Sequence, residues 1–220
     1  MLVQIYEISS AQEAAALVRM GVEHIGVLVG DGSFPRELSV ASALEIGASV
    51  GPPSRLCALF LSSDIALVAE AVRQLRPAIV HLGAGPDLLG PNEVLALKRA
   101  IGNLPIMRSV PVTGLESLGI ARSYQDIVDF VLLDSYSAND RQIGALGVTH
   151  DWNISRQIVR ALATPVFLAG GLGPDNVAEA IRVVRPAGVD AKTRTDQLGT
   201  HVKDLEKVRA FVAAARSAAL

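Results

Sequence analysis

The 220-residue chain has a single cysteine, Cys57, and only 4% aromatic residues. One cysteine excludes an intrachain disulfide and fits a reducing compartment. No charge of either sign dominates: 20 Lys and Arg against 22 Asp and Glu leave a formal net charge of −2. That balance gives no reason to expect a nucleic acid or an acidic membrane surface as partner. No apolar run approaches the length of a membrane span. His24, His81, His150 and His201 lie far apart, with no Cys/His or His-x-x-x-His spacing, so no metal site is expected. A nucleophile elbow, a Walker loop and a dinucleotide fingerprint are all missing, and no cofactor is expected. The opening residues, MLVQIYEIS, read as a strand without a basic leader, so the expected location is the cytoplasm.

What is present is apolar and regular. Half the residues are hydrophobic, with Ala, Leu and Val prominent. Such a composition suits parallel strands buried on both faces under Ala-rich helices. Strands are expected at Leu2–Ile8, His24–Val29, Arg55–Leu61, Ala78–Leu82, Leu104–Val112, Ile127–Leu133, Pro165–Ala169 and Gly188–Ala191. Helices fall between them. The first is capped by Ser9 or Ser10, with Glu13 completing a capping box. The second spans Ser39–Ala48, the third follows Asp64 and the fourth begins at Pro91. A short helix spans Leu115–Tyr124, another Trp152–Leu162, and Pro174 opens the seventh. Lys203–Ala219 closes the chain with Leu205, Val208, Phe211 and Val212 on one face. A long loop, Ser135–His150, precedes the sixth helix. Eight alternating βα units without a linker predict one domain over 1–220, a single α/β (β/α)8 TIM barrel. An open doubly wound sheet fits less well, because Glu7-Ile8-Ser9-Ser10 stands where its glycine-rich fingerprint belongs.

The stretch Thr164–Asp196 carries the densest chemical signal. Gly170-Gly171 follows a buried strand, and Lys192-Thr193-Arg194 follows the next one. Glycines at that place let backbone N–H groups face an anion, and barrels commonly hold phosphate after strands seven and eight. Arg194 either clamps such a phosphate or fills its pocket. Asp134 ends an apolar strand on the face where barrels do chemistry; it is a catalytic group, or else it caps a loop or pairs with a lysine. Lys192 either forms an ion pair with Asp134 or Asp190, or acts as Schiff-base nucleophile or acid–base group. His81 ends strand four as an acid–base group or a satisfied hydrogen-bonding group. Arg108, among apolar neighbours, needs a partner, expected to be a ligand carboxylate or Asp134.

Several of these segments together resemble phosphoribosylanthranilate isomerase. They are Val131-Leu132-Leu133-Asp134, the Gly144–Trp152 loop with its Asp-Trp pair, Leu168-Ala169-Gly170-Gly171-Leu172, Pro174-Asp175-Asn176-Val177, and Gly188-Val189-Asp190 with Lys203-Asp204. Gly26-Val27 and Pro35-Arg36 match the family more loosely in the first half. The resemblance implies a barrel enzyme that catalyses an aldose-to-ketose Amadori rearrangement on a phosphorylated ribosylamine, as monomer or homodimer. It makes Asp134 the general acid and Arg36 a ligand for the substrate's acidic group. The family's Lys-Ile-Cys-Gly segment, whose cysteine is the general base, is here Gln4-Ile5-Tyr6-Glu7. Tyr6 thus stands in the cysteine's place, facing the barrel mouth, either as base or as filler. Glu7 is a candidate base if the backbone turns there, alongside His81 and Lys192. The family's phosphate-holding Ser-Ser-Gly is replaced by Lys192-Thr193-Arg194. The expected function is isomerisation of a phosphorylated sugar by a divergent paralogue outside the tryptophan pathway. A Schiff-base lyase using Lys192, and a non-catalytic phosphosugar-binding protein, remain open beside it.

Overall fold

The computed structural model of the chain describes residues 1–137 and 142–218. Eight parallel strands close into a barrel. They are β1 Leu2–Ile5, β2 His24–Leu28, β3 Arg55–Phe60, β4 Ile79–Leu82, β5 Ile106–Pro111, β6 Phe130–Asp134, β7 Val166–Leu168 and β8 Gly188–Ala191. Each strand neighbours its sequence neighbours, and β8 closes on β1 with Leu2 opposite Gly188 and Ile5 opposite Ala191. The helices between and after them are α1 Ala11–Arg19, α2 Val40–Gly47, α3 Ile65–Leu75, α4 Pro91–Ile101, α5 Glu116–Tyr124, α6 Trp152–Ala161, α7 Val177–Val184 and α8 Leu205–Ala218. The expected (β/α)8 barrel is therefore present. Among the described residues, no helix is long and apolar enough to cross a membrane.

Strand alternation sorts side chains into two cores. Outward residues such as Val3, Ile5, Ala58, Val80, Val131 and Val189 pack with the helices. Inward residues Tyr6, Cys57, Ile79, Met107, Leu132, Phe167 and Ala169 fill the barrel. Two glycines make room for large inward rings. A Cβ on Gly26 would lie 2.3 Å from the Tyr6 ring, and one on Gly188 would lie 2.4 Å from Phe167. Lower in the barrel, His24 stacks on Phe167 at 5.2 Å and meets Gln4 through Nδ1 at 3.0 Å.

Local chemistry sets the element ends. Ser10, the N-cap, accepts from the Glu13 backbone N–H, while the Glu13 carboxylate accepts from Ser9, one residue before the cap, so only half of the expected capping box is made. Strand one is shorter than expected. It ends at Ile5, and Glu7 takes a left-handed φ of 57°. Alternating apolar residues run on to the buried Ile8, but the turn at Glu7 breaks the extended backbone. The closing helix starts at Leu205, two residues later than expected, because Lys203 turns inward and is fully buried on Asp196. Within the long loop, Tyr136–Ser137 pairs antiparallel with Gln142–Ile143. Residues 138–141 of that loop, and Ala219 of the expected closing helix, lie outside the described residues.

Candidate active site

A cavity of about 270 Å³ opens at the C-terminal ends of the strands. Inward parity of the strand ends supplies its polar lining: Tyr6, His81, Ser109, Asp134, Asp190 and Lys192, with Glu7 and Arg36 from loops. Leu28, Phe34, Pro35, Leu59, Leu61 and Leu88 form an apolar side. These polar groups fall into three sets with different electrostatics.

The first set is neutral and satisfied. The Tyr6 hydroxyl lies 2.6 Å from His81 Nδ1 and 2.8 Å from Cys57 Sγ, while His81 Nε2 lies 2.7 Å from Ser109 Oγ. Burial drives the His81 pKa down to about 3, helped by the charge of Arg108. It pushes the Cys57 thiol up to about 12 and the Tyr6 phenol well above its usual value. One proton arrangement satisfies the neutral set: Cys57 donates to Tyr6, Tyr6 to Nδ1 of His81, and Nε2 of His81 to Ser109. His81 is thus a neutral hydrogen-bonding group at pH 7, and Tyr6 fills space instead of presenting a phenolate.

The second set is a pair of buried carboxyls. Asp134 ends β6 with Oδ1 accepting the Ser135 N–H at 2.8 Å. The loop closes over its other oxygen, where a Cβ on Gly144 would lie 2.2 Å from Oδ2. Burial raises the Asp134 pKa to about 7, against the opposing Ser135 hydrogen bonds. Asp190, inward on β8, is driven well above the usual range by burial and by the charge of Asp134. Its Oδ1 is buried without a hydrogen-bond partner among the described residues. Asp190 was not among the residues singled out from sequence as site candidates. Parity could have found it, since it stands two residues before Lys192 on the same strand face.

The third set is charged. Arg36 donates to Glu7 from Nε at 2.6 Å and from Nη2 at 3.2 Å. Lys192 Nζ lies 3.4 Å from Glu7, 3.0 Å from Asp196 and 2.8 Å from His201 Nδ1. Lys203 pairs with the other oxygen of Asp196. Burial works to raise the Glu7 pKa, but the Arg36 hydrogen bond and the Lys192 and Arg36 charges overcome it and hold the carboxyl below its ordinary value. Lys192 thus pairs with neither Asp134 nor Asp190, the partners expected from sequence. Its three donors face two carboxylates and an imidazole, a geometry that holds an ammonium in place.

Beside this cavity lies a small polar recess of about 20 Å³. Gly170, Gly171, Lys192, Thr193 and Arg194 line it together, with Asp134 and Asp190 at its inner side. The sequence-predicted anion residues therefore converge. Gly170 and Gly171 have φ of 82° and 59°. Side chains there would meet His150 and the backbone of Val148, at 2.8 Å and 2.5 Å. Thr193 donates to the Ala145 carbonyl at 3.2 Å. Arg194 donates to the Gly171 carbonyl at 3.1 Å and to Asp175 at 2.7 Å, so its guanidinium is held between these two groups in the wall of the recess.

Arg108 contradicts its expected role. It lies between the inward Met107 and Ser109, so parity turns it away from the cavity and towards the helices. It donates to the carbonyls of Leu82 at 2.9 Å and Leu89 at 3.1 Å, and its guanidinium lies 5.0 Å from the Tyr124 ring centre. Neither Asp134 nor a ligand in the cavity is its partner. It clamps the loop after β4, whose Gly83, Ala84, Gly85 and Leu88 line the cavity. Among the described residues, no cluster of three or more His, Cys, Asp or Glu could hold a metal ion.

Comparison with known proteins covers almost the whole chain. Residues 3–214 match the family model of N-(5′-phosphoribosyl)anthranilate isomerase. The isomerase of Methanocella arvoryzae is 35% identical over 218 residues, covering 96% of this chain and 95% of its own. The solved structure of the Pyrococcus furiosus isomerase superposes with a TM-score of 0.79 at 25% identity, covering 99% of each chain. A further solved isomerase, in complex with reduced 1-(o-carboxyphenylamino)-1-deoxyribulose 5-phosphate, gives a TM-score of 0.80 at 22% identity, over 99% of this chain and 100% of that one. By fold and by sequence along its length, the chain belongs to the N-(5′-phosphoribosyl)anthranilate isomerase family.

Proposed function

We propose that the chain catalyses the Amadori-type aldose-to-ketose isomerisation of N-(5′-phosphoribosyl)anthranilate, with Asp134 as general acid. The observation that carries the reading is the state of Asp134. It is an inward carboxyl at the cavity floor whose pKa burial raises to about 7. Such a group holds a proton near neutral pH and can pass it to the ribose ring oxygen. The remaining lining fits the rest of the substrate. The apolar side suits an aromatic ring, Arg36 suits its carboxylate, and the recess between Gly170-Gly171 and Lys192-Thr193-Arg194 suits the phosphate. Asp190, buried and with one oxygen unpartnered among the described residues, suits a ribose hydroxyl. The analogue bound in the related isomerase carries, by its name, the same three parts: an aryl carboxylate, an open sugar chain and a phosphate.

The expected divergence into a paralogue outside the tryptophan pathway gains no support from the relatives, which carry the plain isomerase name. The departures that the resemblance leaves are local, at Tyr6-Glu7 and at Lys192-Thr193-Arg194. The lyase reading also loses ground, because Lys192 is tied to Glu7, Asp196 and His201. Turnover assays with N-(5′-phosphoribosyl)anthranilate test the proposal. Conversion by the native protein and its loss in Asp134→Asn support the reading. Equal rates in both proteins, or no conversion by the native one, contradict it.

A further inference from the structure

We propose that Glu7 is the general base of this reaction, restrained by Arg36 until the substrate's carboxylate takes the arginine. The proposal rests on the isomerase reading above, which needs one group to give a proton and another to take one from C2.

Geometry narrows the choice. Tyr6, His81 and Cys57 are locked into one another's hydrogen bonds at the cavity floor. Lys192 is held by two carboxylates and an imidazole. Asp190 is a buried carboxyl whose pKa burial drives well above the usual range, and Asp134 is the acid. Glu7 is the carboxylate in the cavity lining that the fold keeps ionised.

The backbone points the same way. Five non-glycine residues among those described have a positive φ: Glu7, Arg36, Arg76, Ala145 and Arg185. Arg76 and Arg185 are left-handed caps ending α3 and α7. Glu7, Arg36 and Ala145 all line the cavity. The two members of the ion pair, Glu7 and Arg36, thus both hold a conformation that costs a side-chain-bearing residue free energy, and such strain gathers at functional sites. The turn at Glu7 is what brings its carboxylate to the mouth.

The groups facing Glu7 come from each element around it. Arg36 comes from the loop after β2, and Lys192 follows β8. Asp196 and His201 bear on Lys192, and Lys203 pairs with Asp196. Both nitrogens that Arg36 directs at Glu7 are those a substrate carboxylate would use. Drawing Arg36 away removes a hydrogen bond from the Glu7 carboxylate and makes it a stronger base.

The step balances without a co-reactant. Asp134 gives its proton to the ring oxygen, and the C1–O bond breaks as the nitrogen lone pair forms C1=N. Glu7 then takes the C2 proton. The C2–H electron pair becomes C1=C2, and the C=N pair returns to nitrogen. The enol O–H proton restores Asp134, the proton on Glu7 passes to C1, and a ketone remains at C2.

The test uses native protein, Glu7→Gln and Glu7→Gly with N-(5′-phosphoribosyl)anthranilate. Loss of the base lowers kcat by about 10²–10⁴-fold in both variants. Glu7→Gly folds readily, since glycine relieves the positive φ, and added formate restores part of its rate. In native protein the acid limb of kcat lies at higher pH than that of kcat/KM, because the bound substrate has removed Arg36. Native kcat in Glu7→Gln, or coincident acid limbs, overturns the assignment while the isomerase reading stands. Absence of turnover by the native protein overturns both.

Discussion

The two sides of the barrel mouth solve the same problem in opposite ways. Both place polar side chains in a buried, inward-facing layer. On the side of β3, β4 and β5, with Tyr6 leaning in after β1, Cys57, Tyr6, His81 and Ser109 satisfy one another in a neutral chain. On the side of β6 and β8, Asp134 and Asp190 are buried as carboxyls, and one Asp190 oxygen finds no partner among the described residues. A satisfied network rigidifies a core, whereas an unmet polar demand in a cavity marks where a ligand supplies the missing half. The contrast explains how the chain can carry a tyrosine where the family resemblance implies a cysteine. On the proposed reading the neutral side is packing, and the proton chemistry rests on carboxyls around the rest of the rim.

Asp134→Asn should break the contrast most strongly. It removes the acid and lowers kcat by about 10²–10⁴-fold. The same variant should be more stable than native protein at about pH 8. A raised folded-state pKa on Asp134 means its contribution is fully present below the unfolded value and lost as pH rises through about 7. The amide carries no such penalty, so its melting temperature should pass that of native protein on the alkaline side. Thermal melts at acid and alkaline pH read this crossing. A variant destabilised equally at both would show that Asp134 is a structural cap.

Tyr6→Phe probes the opposite side. It strips the hydroxyl from a satisfied chain and leaves His81 Nδ1 and the Cys57 thiol facing a ring edge. Denaturant unfolding should register a loss of about 1–3 kcal/mol. Its kcat should stay within a few-fold of native. A collapse of kcat without loss of stability would return Tyr6 to the chemistry and erase the contrast.

Arg194→Ala should give a smaller effect, confined to the recess. Inorganic phosphate at about a hundred times its dissociation constant stabilises a binding fold by roughly 2.7 kcal/mol, which a thermal shift can read. That shift should shrink in the variant, because Arg194 lies in the recess wall beside Gly171 and can turn from Asp175 onto the anion. An undiminished shift would place the anion elsewhere.

Most of the fold was legible because it rests on period and punctuation. Eight apolar runs alternating with capped helical segments predict the barrel, and Ser10 caps the first helix as read. Strand one was read too long. Tyr6 and Ile8 keep the apolar pattern through a residue whose backbone turns left-handed, and nothing in Glu7's identity announces a positive φ. Convergence of Gly170, Gly171, Thr193 and Arg194 was legible from βα topology alone. Arg108 was misassigned although the information was present, since Met107 and Ser109 on either side are the inward residues of β5. The pairing of Arg36 with Glu7 was not legible at all. It joins residues 29 apart through two loop conformations that no strand or helix pattern encodes.

The most direct test of this account is the pH dependence of kcat/KM for N-(5′-phosphoribosyl)anthranilate. Two carboxyls in opposite states, one protonated and one ionised, predict a bell. Its alkaline limb should fall at about pH 7, where Asp134 loses its proton, and its acid limb below the ordinary glutamate range, where Glu7 gains one. Loss of the alkaline limb in residual Asp134→Asn activity would complete the agreement. A rate that keeps climbing above about pH 8, as a thiol or phenol base would require, would contradict the account at its centre.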